Sequence, residues 1–170
     1  MTEDTYTTDT TTFNTPQTFE SYSSTFIDPN KVLVKLSSTA VAPSYQSDGS
    51  AGSDLRCLNR VALLPNVPTL IDTGVAIALP RDTAGLVYLR SSIALQGILL
   101  CNGVGVIDPD YRGTIKLLVT NTCTTTVVFQ QGDRLAQLLI TPILTPSFKV
   151  MTELDTTNRA DGGFGSTGIS

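Results

Sequence analysis

The stretch Asn102 to Asn121, NGVGVIDPDYRGTIKLLVTN, constrains this chain more than any other. Val104, Val106 and Ile107 stand before a cluster of turn formers, Asp108-Pro109-Asp110-Tyr111-Arg112-Gly113. Ile115, Leu117, Leu118 and Val119 follow it. Strand formers on both sides of such a cluster predict a β-hairpin. The turn carries far more chemistry than an Asn-Gly pair would supply. Pro109 fixes its own φ and pushes Asp108 toward an extended conformation. Asp108 thus sits on a stiff backbone at a strand end, where a catalytic carboxylate can be held in place.

The rest of the chain reads as many short strands. KVLVKL from Lys31 alternates as a strand, and Val61 to Leu64 is a second. TLIDTGVAIALP (Thr69 to Pro80) is either a strand pair or one long strand around Gly74. GLVYLR (Gly85 to Arg90), Ile98 to Leu100, Thr124 to Phe129 and Phe148 to Met151 are further strands. RLAQLLI (Arg134 to Ile140) fits helix or strand, and its strand neighbours favour the latter. Ser91 to Gly97 is the best helical turn. Short strands, Gly/Pro turns and little helix predict an all-β fold, a barrel or jelly roll. Residues 1–28 are Thr/Ser-rich without a period and predict a disordered tail, 29–154 the barrel, and 155–170 a Gly-rich mobile end.

Composition narrows the chemistry. The 170 residues contain no histidine, which removes Ser-His-Asp and Cys-His catalysis and His-ligated zinc. Net charge is −4, so a basic face for a nucleic-acid polymer is not expected. No apolar run approaches the roughly 20 residues of a membrane span, and the N-terminus lacks the pattern of a signal peptide. Cys57, Cys101 and Cys123 share no metal-ligand spacing and read as reduced thiols of an intracellular protein.

Five stretches suit a phosphate or nucleoside ligand. They are AGSDL with Asp54, RSSIA with Arg90, Ser91 and Ser92, the loaded turn, GDRLAQ with Gln137, and RADGGFGSTG with Arg159. Ser91 and Ser92 open the helical turn, where free N–H groups favour an anion. In this order, from Ala51 to Gly168, the five resemble the motifs of the trimeric dUTPases, which hydrolyse dUTP to dUMP and pyrophosphate. The resemblance implies a jelly-roll-like distorted β-barrel that assembles as a homotrimer. It implies that each site takes its phosphate motifs, its turn and its tail from three different chains. Apolar TLIDTGVAIALP is more hydrophobic than a monomeric barrel needs, so some of its surface is expected to line a threefold contact.

By resemblance, Asp108 activates the attacking water. Asn102 and the backbone of Gly105, Val106 and Ile107 read uracil, and Tyr111 packs under the deoxyribose. Arg90, Ser91, Ser92, Lys116 and Gln137 bind substrate beside them, and Asp54 holds Mg²⁺ through water. Arg159, Phe164, Gly165, Ser166 and Thr167 close over dUTP as a lid. Such an enzyme keeps uracil out of DNA and supplies dUMP for dTMP synthesis. The family pattern has glycine where this chain has Ala160. A dCTP deaminase would need a glutamate base, and Glu3, Glu20 and Glu153 stand in no matching motif. A catalytically impaired, dUTPase-derived binding or signalling module is the alternative reading.

Overall fold

A computed structural model of the chain describes residues 31–163. Eleven strands and one helical turn are present among them: β1 (Leu33–Leu36), β2 (Ser53–Arg56), β3 (Val61–Leu63), β4 (Thr69–Asp72), β5 (Val75–Ala78), β6 (Thr83–Leu89), α1 (Ser91–Ala94), β7 (Ile98–Leu100), β8 (Gly105–Ile107), β9 (Lys116–Asn121), β10 (Val127–Phe129) and β11 (Arg134–Pro142). All strand pairs are antiparallel. One sheet has the order β2-β11-β6-β8, a second β4-β9-β7, and β1-β5 and β10-β3 form two ribbons. Non-consecutive strands pair throughout, so crossovers wrap the sheets around one core, as in a jelly roll. No helix among the described residues is long and apolar enough to cross a membrane.

Period-2 alternation explains the core. On β9, Leu117 and Val119 point inward while Lys116 and Leu118 face out. Leu55, Leu63, Ile98, Leu117 and Leu135 are fully enclosed, and each such side chain contributes about 1.5–3 kcal/mol by leaving water. Polar residues share this interior, Asn121 among them. Asn121 ends β9, and its side-chain amide donates to the carbonyls of Leu63 (2.9 Å) and Thr125 (2.8 Å). Its Oδ1 accepts from the Cys123 N–H at 3.0 Å. A buried amide costs little when its hydrogen bonds are made, and here they tie β9 to β3.

The structure corrects four expectations. First, the loaded turn closes no hairpin: β8 pairs with β6, whereas β9 pairs with β4 and β7. The segment 108–115 is a corner between two sheets, and local strand signals cannot tell a corner from a hairpin. Second, Phe148 to Met151 is not a strand. Phe148 is 98% and Val150 96% exposed, because no strand edge among the described residues pairs with them. Third, TLIDTGVAIALP buries most of its apolar residues, Ile71, Val75, Ile77 and Leu79, in its own core rather than at a contact face. Of this stretch, Leu70 is the large apolar side chain left exposed. Gly74 splits it into β4 and β5 at φ +67, where a Cβ would meet Ala40 and Leu58 at 2.8 Å. Fourth, the helical turn is only four residues, too short to present a helix dipole to an anion. The strand reading of Arg134 to Ile140 holds, as β11 at the centre of the larger sheet.

Candidate active site

Three of the five motifs meet at one end of the larger sheet. β6 stops at Leu89 and Arg90 follows in extended conformation, its N–H donating to the Leu135 carbonyl at 3.0 Å. Ser91 and Ser92 are exposed beside it. On β11, Gln137 stands opposite Asp54 of β2 on one side and Tyr88 of β6 on the other. Arg90, Ser91, Ser92, Gln137 and Asp54 therefore form one polar corner.

Asp54 is its centre. The residue is only 2% exposed, and a buried carboxylate requires compensating charge. Arg134 Nη1 donates to Oδ2 at 3.1 Å, and Arg90 Nε stands 3.4 Å from Oδ1. Oδ1 nevertheless accepts no hydrogen bond. Arg134 Nη1 also donates to Gln46 Oε1 at 2.8 Å. Arg90, Ser92 and Arg134 line a surface cleft of about 350 Å³ with Phe129 and Asp133. Arg134 and Gln46 were not among the residues singled out in the sequence. Arg134 was legible as the one cation within GDRLAQ, whereas Gln46 lies in a loop without pattern.

The loaded turn is built locally. The Tyr111 N–H donates to the Asp108 carbonyl at 3.1 Å, and Arg112 Nη1 donates to the carbonyls of Pro109 (2.7 Å) and Tyr111 (2.9 Å). The Tyr111 hydroxyl donates to the Thr114 carbonyl at 3.1 Å, folding the ring against Gly113, where any Cβ would collide with it. These bonds fix the backbone and leave the Asp108 side chain exposed, with no hydrogen bond to it among the described residues. Its carboxylate is open to a water molecule. Asn102 is exposed, with Nδ2 3.9 Å from where a Gly105 Cβ would stand, so Gly105 keeps this strip of β8 uncovered. Lys116 is exposed on β9 opposite Asp72.

Register separates the two halves. Gly105 pairs with Val87 and Ile107 with Gly85, so β8 runs away from Arg90. Asp108 follows Ile107 and so lies level with Ala84, while Arg90, just past the end of β6, lies six residues further along. At about 3.3 Å per residue the two are separated by about 20 Å along the strand. A single chain does not bring Asp108 to its own Arg90-Ser91-Ser92 corner.

The tail begins as an exposed turn in which Arg159 Nε donates to the Gly162 carbonyl at 3.0 Å. Ala160 has φ +45, a left-handed conformation that suits glycine. The departure at this position is thus a strained one. Phe164, Gly165, Ser166 and Thr167 lie outside the described residues. Cys57, Cys101 and Cys123 are free. Burial pushes the Cys57 thiol up from its ordinary value, which keeps it protonated and unreactive.

Comparison with known proteins gives one answer. A family model described as dUTPase matches residues 38–168. A deoxyuridine 5'-triphosphate nucleotidohydrolase of Hydrogenobaculum sp. is 41% identical over 142 residues, covering 82% of this chain and 99% of the relative. The protein of the same name from Escherichia phage T5 is 39% identical, covering 81% and 98%. Among solved structures, a Staphylococcus bacteriophage 80alpha dUTPase mutant with dUpNHpp superposes at TM-score 0.78 with 26% identity, covering 82% of this chain and 99% of that one. A mutant dUTPase from phage phi11 of S. aureus, described for the coordination of a structural Mg(II) ion, superposes at 0.70 with 26% identity, covering 75% and 100%.

Proposed function

The chain belongs to the dUTPase family, and on that premise we propose that it is a dUTP diphosphatase that forms dUMP and pyrophosphate at sites shared between the chains of a homotrimer. The observation that carries the shared site is the register of β8 on β6. It holds Asp108 far from its own phosphate corner, so a partner must supply the other half. Leu144, Phe148, Val150 and Leu154 support self-association, since such exposed apolar side chains on an extended arm call for cover by another copy.

In this reading Asp108 takes a proton from the water that attacks the α-phosphate, and pyrophosphate leaves. Arg90, Ser91, Ser92 and Gln137 bind and orient the phosphates, and Arg159 with residues 164–167 closes over them and excludes water. Asn102 and the β8 backbone select uracil, because cytosine would set a donor against a donor. Asp54 would hold a magnesium ion through water; its Oδ1 accepts no hydrogen bond and faces Arg90 Nε at 3.4 Å, so a water of the ion would share that oxygen with Arg90. Bound there, Mg²⁺ would neutralise phosphate charge and orient the triphosphate. The three free cysteines agree with an intracellular enzyme. Turnover of dUTP into such products would limit uracil in DNA and provide dUMP. Pyrophosphate release from dUTP, measured against dCTP, dTTP and UTP, tests the reading. Release from dCTP as fast as from dUTP would refute it.

Two smaller predictions arise here. Tyr111→Ala should raise the rate with UTP relative to dUTP, because the ring no longer occupies the 2′ side of the sugar. An unchanged UTP/dUTP ratio would remove that role from Tyr111. Ala160→Gly should relieve about 1 kcal/mol of backbone strain, raising kcat/KM up to about fivefold if that strain opposes closure. Steady-state kinetics beside thermal unfolding checks it, with melting expected to stay put.

A further inference from the structure

The Asp54 carboxylate faces two arginines, and they hold it unequally. Arg134 makes the true hydrogen bond, at 3.1 Å to Oδ2, while Arg90 Nε remains at 3.4 Å from Oδ1. Arg134 is itself fixed, because the same Nη1 donates to Gln46 Oε1 at 2.8 Å. Gln46 Nε2 in turn donates to the Ser44 carbonyl (3.3 Å) and hydroxyl (3.1 Å). Ser44 is bridged to Asp54, whose N–H donates to the Ser44 carbonyl at 2.9 Å. The loop, Arg134 and β2 thus form a closed ring of bonds around one carboxylate. Its rotation is set by Arg134, and that rotation determines where Oδ1 points. Arg90 meets Oδ1 through Nε alone, and no bond among the described residues holds its two terminal nitrogens. Both arginines line the same cleft as Ser92.

We propose that Arg134 is a positioning residue for triphosphate binding. By taking Oδ2 of Asp54, it turns Oδ1 to the Nε of Arg90, so that the outer edge of the Arg90 guanidinium is presented to the phosphates. A guanidinium whose Nε edge faces a carboxylate has its remaining N–H groups turned outward for bidentate capture of an anion. One nitrogen of Arg134 makes both of its bonds. A lysine ammonium in that position can replace it, although lysine is a poor substitute where arginine uses its whole fork.

The test is equilibrium binding of dUpNHpp and of dUMP, by calorimetry on the full chain, with Mg²⁺ and with EDTA. Arg134→Met should weaken dUpNHpp by about 10- to 100-fold, as removal of a partner behind a binding residue does. Binding of dUMP should change little. Arg134→Lys should stay within about fivefold of wild type. In an Asp54→Ala background, where there is no carboxylate to hold, Arg134→Met should cause no further loss. Equal losses for dUMP and dUpNHpp would overturn the proposal. So would a lysine variant as weak as methionine, or an undiminished loss without Asp54. Should Arg134→Met or Asp54→Ala not fold, Arg134→Gln and Arg134→Lys are compared under the same criteria in the wild-type background. The inference rests on the dUTPase reading, and the wild-type control separates the two: a wild-type chain that ignores dUpNHpp defeats that reading itself.

Discussion

Asp108→Asn is expected to leave the chain folded and assembled while turnover of dUTP falls by about 10²–10⁴-fold, the contribution of one positioned general base. Asn is nearly isosteric with Asp. The turn that presents the residue is held by backbone and Arg112 bonds, none of which uses the Asp108 side chain. Geometry therefore survives and the proton acceptor is lost. Binding of dUpNHpp should remain close to wild type, because the phosphates are held elsewhere. Single-turnover kinetics with enzyme in excess over dUTP isolates the chemical step. Near-wild-type hydrolysis by this variant would take the base assignment away from Asp108.

The second large effect concerns the tail. Removing everything after Asn158 deletes Arg159 and the glycine-rich end. The residues described there, 159–163, are mostly exposed and pack in no core, so the melting temperature should barely move. Hydrolysis should fall by orders of magnitude, since an open site admits water and loses the Arg159 cation. Mixing then tests whether the site is shared. The Asp108→Asn chain and the truncated chain are each nearly inactive. When unfolded and refolded together as trimers of about three times 18.1 kDa, random mixing gives about one site in four an intact turn from one parent and an intact tail from the other. Activity should return to about that fraction. A monomer by light scattering, or mixed trimers that stay inactive while refolded wild type recovers, would refute the shared site. An impaired binding module would show no activity to lose at either step.

Local patterns made much of this protein legible. The β-branched and apolar runs marked most strands near their true bounds. The Asp-Pro-Asp-Tyr-Arg-Gly cluster disclosed the turn that presents Asp108, and the Arg-Ser-Ser run the polar corner at the end of β6. Those features depend on a residue and its near neighbours, which is the range over which propensity and period act. Ala160 stood out only through the family resemblance, which has glycine there, and the structure gives it φ +45.

Pairing was beyond such signals. β8 and β9 flank a turn in sequence yet lie in different sheets, because the strands that complete their hydrogen bonds, β6 and β4, come from elsewhere in the chain. Phe148 and Val150 have strand-forming character but no edge to join. Arg134 looked like any cation at a strand start until tertiary packing set Asp54 of β2 and Gln46 of a loop against it, 80 and 88 residues away. The roughly 20 Å between Asp108 and the Arg90 corner of its own chain is likewise a matter of register. The sequence by itself determined most of the strands, the position of the turn and the chemistry available. Which strands lie together, and hence which functional groups can meet in one chain, only the tertiary structure decided, since hydrogen bonds and burial are completed by distant partners.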